Sequence, residues 1–167
     1  MQQLPSVDIF IGLLFIVGIG YGFILRRDKT ITTLCSAYIG LVIASSFSET
    51  VFKFFNGNST IGNQIWIRSN ASVSTISIIL FLLCIALISG AIQSSSTRSG
   101  DIGAFEVLIY SSLTVALVIS SVLNFLPPEV RTNYIGVSRL AKMMFDFRPL
   151  IIIGAPLTLV ILNFRRK

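Results

Sequence analysis

The 167 residues hold 53% hydrophobic and only 12% charged positions, whereas a soluble domain has about a quarter of its positions charged, so the surface of an ordinary water-soluble domain is excluded. Thirteen Lys and Arg against seven Asp and Glu leave a net charge of +6. The cations stand singly or in short clusters at the ends of apolar runs, which points to an anionic membrane surface as the partner and not to nucleic acid. Histidine is absent, which removes the commonest general base and metal ligand. The two cysteines, Cys35 and Cys84, lie in apolar runs without a Cys-x-x-Cys, so each thiol reads as a small buried hydrophobe and not as part of a disulfide framework.

Residues 7–25 carry one charge, Asp8, and run straight into Arg26, Arg27 and Lys29. Nineteen residues at about 1.5 Å each reach ~28 Å, close to the ~30 Å of a hydrocarbon core. A run so uniformly apolar satisfies its backbone as a helix and not as the alternating strand of a barrel. No basic residue precedes it and no small-residue cleavage site follows it, so it reads as a retained span and not as a signal peptide. Ser6 or Asp8 can cap its start.

A second apolar run, 31–47, follows a connection of five residues, so the first two helices form an antiparallel hairpin sharing a basic turn. Glu49 and Lys53 mark its far end. The next stretch is rich in Asn, Ser and Gly and holds the only tryptophan, Trp66, a side chain that anchors at membrane interfaces. Its two glycosylation sequons, at Asn58 and Asn70, carry little weight in so Asn/Ser-rich a loop.

Residues 73–92 and 107–126 form the third and fourth spans, both uncharged, separated by a Ser/Gly-rich turn with Arg98 and Asp101. Pro127 and Pro128 stop the fourth, because proline lacks the amide a continuing helix needs. Leu140, Met143, Met144 and Phe147 then fall at i, i+3, i+4 and i+7, the spacing of an amphipathic helix lying in the interface. The last apolar run, 150–164, is short and contains Gly154 and Pro156. It crosses if 143–148 extend it and Arg148 snorkels to the headgroups; otherwise it is re-entrant or interfacial.

The predicted fold is thus all-α: one transmembrane domain over residues 1–167, a polytopic bundle with four core transmembrane helices, an interfacial amphipathic helix and a short C-terminal fifth apolar segment. Its orientation rests on short basic turns, which prefer the cytoplasm. Arg26, Arg27, Lys29, Arg98, Arg165, Arg166 and Lys167 are placed inside, giving N-out and C-in, because these seven hug short turns, whereas the six outside, Lys53, Arg68, Arg131, Arg139, Lys142 and Arg148, are spread through longer loops. The anchors of that topology are Arg26, Arg27, Lys29, Arg165, Arg166 and Lys167.

Small residues recur four apart in several spans: Gly18 and Gly22; Ser36, Gly40 and Ala44; Ala86 and Gly90; Ser112, Ala116 and Ser120. Such stripes let helix backbones approach closely, either within the chain or against another subunit. Gly18, Gly22, Gly40 and Ala44 are the positions favoured for a partner. Serines of the fourth run could alternatively line a narrow wet path, although serines bonded within their own helix are the commoner arrangement. No phosphate loop, nucleophile elbow or His-Glu-x-x-His is spelled, so no catalytic, cofactor or metal residue is nominated and an enzyme is not expected.

Several stretches resemble the colicin V production protein family of small bacterial inner-membrane proteins. They are Val7-Asp8-Ile9 opening the first span, Gly20-Tyr21-Gly22-Phe23 near its end, residues 38–45 of the second, Ile88-Ser89-Gly90-Ala91-Ile92 and Ser99-Gly100-Asp101. Tyr21 stands where family members commonly have arginine, and Phe105-Glu106-Val107 where they have an arginine and glycines. The resemblance implies an inner-membrane protein serving production or export of a peptide toxin and envelope upkeep, with no catalytic residues. On this reading the chain is a non-enzymatic scaffold or accessory subunit, with lipid and a membrane protein or a second copy as partners; the alternative is a small homo-oligomeric channel or transporter.

Overall fold

The computed structural model describes residues 6–55, 72–92 and 104–164. Among these residues the chain is all-helical, without a strand. Its elements are α1 (Ser6–Phe55), α2 (Val73–Ala91), α3 (Ala104–Phe125), α4 (Pro128–Val137), α5 (Arg139–Asp146) and α6 (Arg148–Phe164). Four segments are long and apolar enough to cross a membrane: Val7–Ile24, Asp28–Phe54, Val73–Ala91 and Phe105–Phe125. The pair α5 and α6, bent by 64° at their junction, makes a fifth if taken as one.

Helical backbone geometry runs unbroken through α1, yet the Thr30 hydroxyl donates to the Gly22 carbonyl at 3.2 Å. Eight residues of straight helix would separate them by about 12 Å, so the chain folds back between them. The two limbs, Val7–Ile24 and Asp28–Phe54, therefore form the hairpin the sequence predicts, but with helical geometry carried through the turn instead of a loop. The second limb also outruns its predicted end at 47, passing Glu49 and Lys53. Nothing from Ser48 to Phe54 is Gly or Pro, and Lys53 in the last turn suits the negative end of the helix dipole.

Packing directions follow from the residues that meet. Gly18 faces Val115 and Gly22 faces Ser111, so the first limb runs antiparallel to α3. Thr33 pairs with Ser89 while Gly40 faces Phe81, so the second limb runs antiparallel to α2. The most buried spanning segment is α3, in which 56% of an 18-residue apolar window lies inside against 11% for the first limb, and α3 touches α1, α2, α5 and α6. One core cluster joins Leu34, Ala37, Leu41, Ala44, Phe81, Tyr110, Leu117 and Ala155; a second joins Ile11, Ile119, Leu123 and Ala141.

Ends of helices have identifiable causes. Ser72 caps α2 by accepting from the Thr75 amide at 3.2 Å. After α3 the chain breaks at Pro127, and Pro128 opens α4 at a position where its missing N–H costs nothing. The sequence reading missed α4, whose composition is too mixed to announce a helix. At the α5–α6 junction, Pro149 has no amide to continue the ladder, which accounts for the bend.

Candidate functional site

The small-residue stripes are the candidate site, and most of them are taken up inside the bundle. A Cβ on Gly18 would strike a Val115 methyl, and one on Gly22 would strike Ser111, whose Cβ lies 2.8 Å from that position. Gly40 leaves room for the Phe81 carbonyl at 3.2 Å and the Cys84 Cβ at 3.4 Å. Ala44 and Ser36 are wholly buried. The positions favoured for a partner, Gly18, Gly22, Gly40 and Ala44, are therefore occupied by this chain's own helices, because close backbone approach is what allows apolar helices to associate at all.

Ala86 and Gly90 differ. Both are exposed, and nothing stands within 4 Å of a Cβ built on Gly90. They lie on the outer face of α2 beside Leu82, Leu83 and Leu87, each about half exposed or more.

On α3, Ala116 and Ser120 are buried and Ser112 is half-buried. The hydroxyls here serve their own helix: Ser111 donates to Val107 O at 2.7 Å, Ser112 to Leu108 O at 2.8 Å, Thr114 to Tyr110 O at 2.7 Å and Ser120 to Leu117 O at 3.1 Å. On α1, Ser36 donates to Thr32 O at 2.8 Å. Ser121 is buried and its oxygen has no hydrogen-bond partner among the described residues. Where the two limbs of α1 meet α3, a recess of about 100 Å³ is lined by Gly18, Gly22, Thr30, Thr33, Ser111 and Thr114 among others. Its exposed walls are almost wholly apolar, since the hydroxyls are turned toward backbone carbonyls.

Three polar contacts between helices were not evident from sequence. The Thr33 and Ser89 hydroxyls pair at 3.1 Å across α1 and α2. The Tyr38 hydroxyl donates to Ile152 O at 2.6 Å. Asp8, one of two candidates with Ser6 to cap its own helix, receives the Ser138 hydroxyl and, at 3.1 Å, the Leu140 amide, at the start of α5. Ser138 in turn accepts from the Ala141 amide at 2.9 Å, so one carboxylate and one hydroxyl share the orphan donors of that helix end.

Cys35 and Cys84 are free thiols, and Cys35 is exposed on the outer surface instead of buried, because its helical position turns it away from the Leu34 and Ala37 core face. Among the predicted anchors, Lys29 is half-buried. The side chains of Arg26 and Arg27 lie outside the described residues. So do Arg165, Arg166, Lys167, Trp66, the two sequons and the turn holding Arg98 and Asp101. Among the described residues, no three His, Cys, Asp or Glu side chains group as metal ligands would.

No family model, curated protein or solved structure matches the chain.

Proposed function

We propose that this is a non-enzymatic, multi-pass protein of the bacterial cytoplasmic membrane, acting as a scaffold or accessory subunit in envelope maintenance or in toxin production and export. The observation that supports membrane embedding is the outer surface of the bundle. On the first limb Ile9, Phe10, Leu13, Ile16, Val17 and Ile24 are each more than half exposed, over a segment long enough to span. A soluble monomer rarely exposes a contiguous apolar patch of more than a few hundred Å², whereas lipid accepts such a surface without cost.

With Gly18, Gly22, Gly40 and Ala44 engaged inside, the docking face passes to Ala86 and Gly90 on α2, where a partner helix can approach closely. The basic clusters Arg26, Arg27 and Lys29 and Arg165, Arg166 and Lys167 favour N-out and C-in. The pathway assignment rests on the resemblance to the colicin V production family. A conducting path along α3 draws no support from hydroxyls that are bonded to their own helix.

The test is extraction and association together. The tagged chain should stay in the membrane through alkaline washing and, in mild detergent, run with a partner in fixed ratio or as a defined oligomer. Gly90→Leu should dissociate that assembly while leaving the chain folded. Release by alkali would overturn the membrane reading, and an unchanged complex with Gly90→Leu would overturn the docking face.

A further inference from the structure

We infer that the α4–α5–α6 elbow is a seat for anionic phospholipid, with the apolar stripes of α4 and α5 on the acyl boundary and Arg148 donating to the lipid phosphate. The inference rests on the membrane reading above and adds to it a specific lipid class and a residue that holds it.

Each of the two short helices carries an outward apolar stripe at helical spacing: Val130, Tyr134 and Val137 on α4, and Leu140 and Met143 on α5 with Phe147 at its C-cap, all between 36% and 52% exposed. The protein side of each helix is a different face. On α5, Ala141 is fully buried and Met144 packs against the Ile11 and Ile119 cluster; at about 100° per residue, Arg139, Lys142 and Asp146 then fall together on a third, polar sector. On α4, Arg131 turns inward over the Phe145 ring at 5.2 Å.

Position and charge name the occupant. Asp8, the second residue of the first apolar segment, holds Ser138 and the Leu140 amide, so α5 begins at the level where that segment begins. That is the depth of a bilayer's headgroup layer, and a helix with this pattern buries its apolar face about 5–10 Å into it. From Pro128 to Arg148 the chain has Arg131, Arg139, Lys142 and Arg148 against Glu129 and Asp146, a cationic excess that complements anionic lipid.

Arg148 adds its own hydrogen-bonding state to that charge. It stands at the bend between α5 and α6, half-buried, and its Nε is shielded from solvent with no hydrogen-bond partner among the described residues. A guanidinium presents a planar fork of donors that matches a phosphate bidentately. A phospholipid brings that phosphate and an apolar tail to one place, as an inorganic anion does not.

The test uses the full chain in nanodiscs of phosphatidylcholine containing a minor share of phosphatidylglycerol. Lipids retained by the released protein are counted by native mass spectrometry. Phosphatidylglycerol should be enriched over its share of the disc, and Arg148→Gln should cut that enrichment roughly tenfold, the effect of one charge-assisted contact of ~1.4 kcal/mol. Incorporation with no enrichment, or an enrichment that Arg148→Gln leaves intact, overturns the proposal while the membrane reading stands. A wild-type chain that never enters the disc overturns both. A second measurement keeps Arg148 in place: a fluorophore on Met143→Cys, with Cys35 and Cys84 replaced by Ser, should be quenched by headgroup-level spin labels and shielded from iodide. Quenching by iodide as in free dye, or by neither agent, overturns the seat.

Discussion

The Tyr38 hydroxyl donates to the Ile152 carbonyl at 2.6 Å, and that carbonyl is the one Pro156 leaves without a helical donor. Residue 156 would supply the i to i−4 amide to Ile152, but proline has none. A carbonyl left unpaired away from water costs several kcal/mol, so a phenol from α1 restores what the proline removes and ties α6 to the bundle. Tyr38→Phe should destabilise the folded chain by about 1–3 kcal/mol. In a Pro156→Ala background the new amide bonds Ile152, and Tyr38→Phe should then cost much less. Thermal melts of the four variants in one detergent decide it; additive losses would break the link between the two positions.

Gly18→Ala should destabilise by about 1–3 kcal/mol through overpacking against Val115. The obstructing atom is a Val115 methyl, whereas its Cβ lies 3.6 Å from the added carbon, an ordinary contact. Val115→Ala should therefore recover most of the loss in the double variant. Gly12→Ala, on the same limb and with nothing within 4 Å of the added carbon, is the reference in the same melting series and should gain about 0.5–1 kcal/mol from helix propensity alone.

Asp8→Leu removes the acceptor shared by Ser138 and the Leu140 amide. The expected loss is about 0.5–2 kcal/mol, that of a helix cap. Hydrogen exchange should rise at 139–141 first, and Asp8→Asn, which still accepts from an amide, should retain much of the protection. Faster exchange confined to the start of α1 instead would mean that Asp8 acts as the cap of its own helix.

Phe81 is fully buried and meets the Phe125 ring edge-on, with centroids 5.8 Å apart. Phe81→Ala should cost about 3–5 kcal/mol as a cavity-forming change. A double-mutant cycle with Phe125→Ala should return a coupling of about 0.5–1.5 kcal/mol. Unfolding curves in a denaturing detergent give both values, and a coupling near zero would reduce the ring pair to area burial alone.

Hydropathy and length made the four long apolar segments legible, since both are properties of a contiguous stretch. The hairpin of α1 was legible for the same reason: Arg26, Arg27 and Lys29 interrupt the apolar run at its middle. Glycine spacing singled out Gly18, Gly22 and Gly40, but spacing cannot say which surface stands against them, and here it is Val115, Ser111 and Phe81 of the same chain. Helix α4 went unread because Val130, Tyr134 and Val137 alternate with Glu129, Arg131 and Asn133 over only ten residues, too short a window to fix a period. The Asp8–Ser138 pair spans 130 positions, and Pro156 announced an orphan carbonyl without naming Tyr38 as its donor. Contacts between distant residues follow from how the helices stack, which no local pattern encodes.

The central place of α3 sets an order of events during synthesis. Both limbs of α1 and the whole of α2 leave the ribosome before residue 104, so the glycine faces at Gly18 and Gly22 are made well before Val115 and Ser111, the side chains that fill them. Until then the nascent hairpin has an open furrow on the side α3 will occupy. A chain halted ahead of α3 keeps that furrow open, because the side chains that fill it have not yet been made.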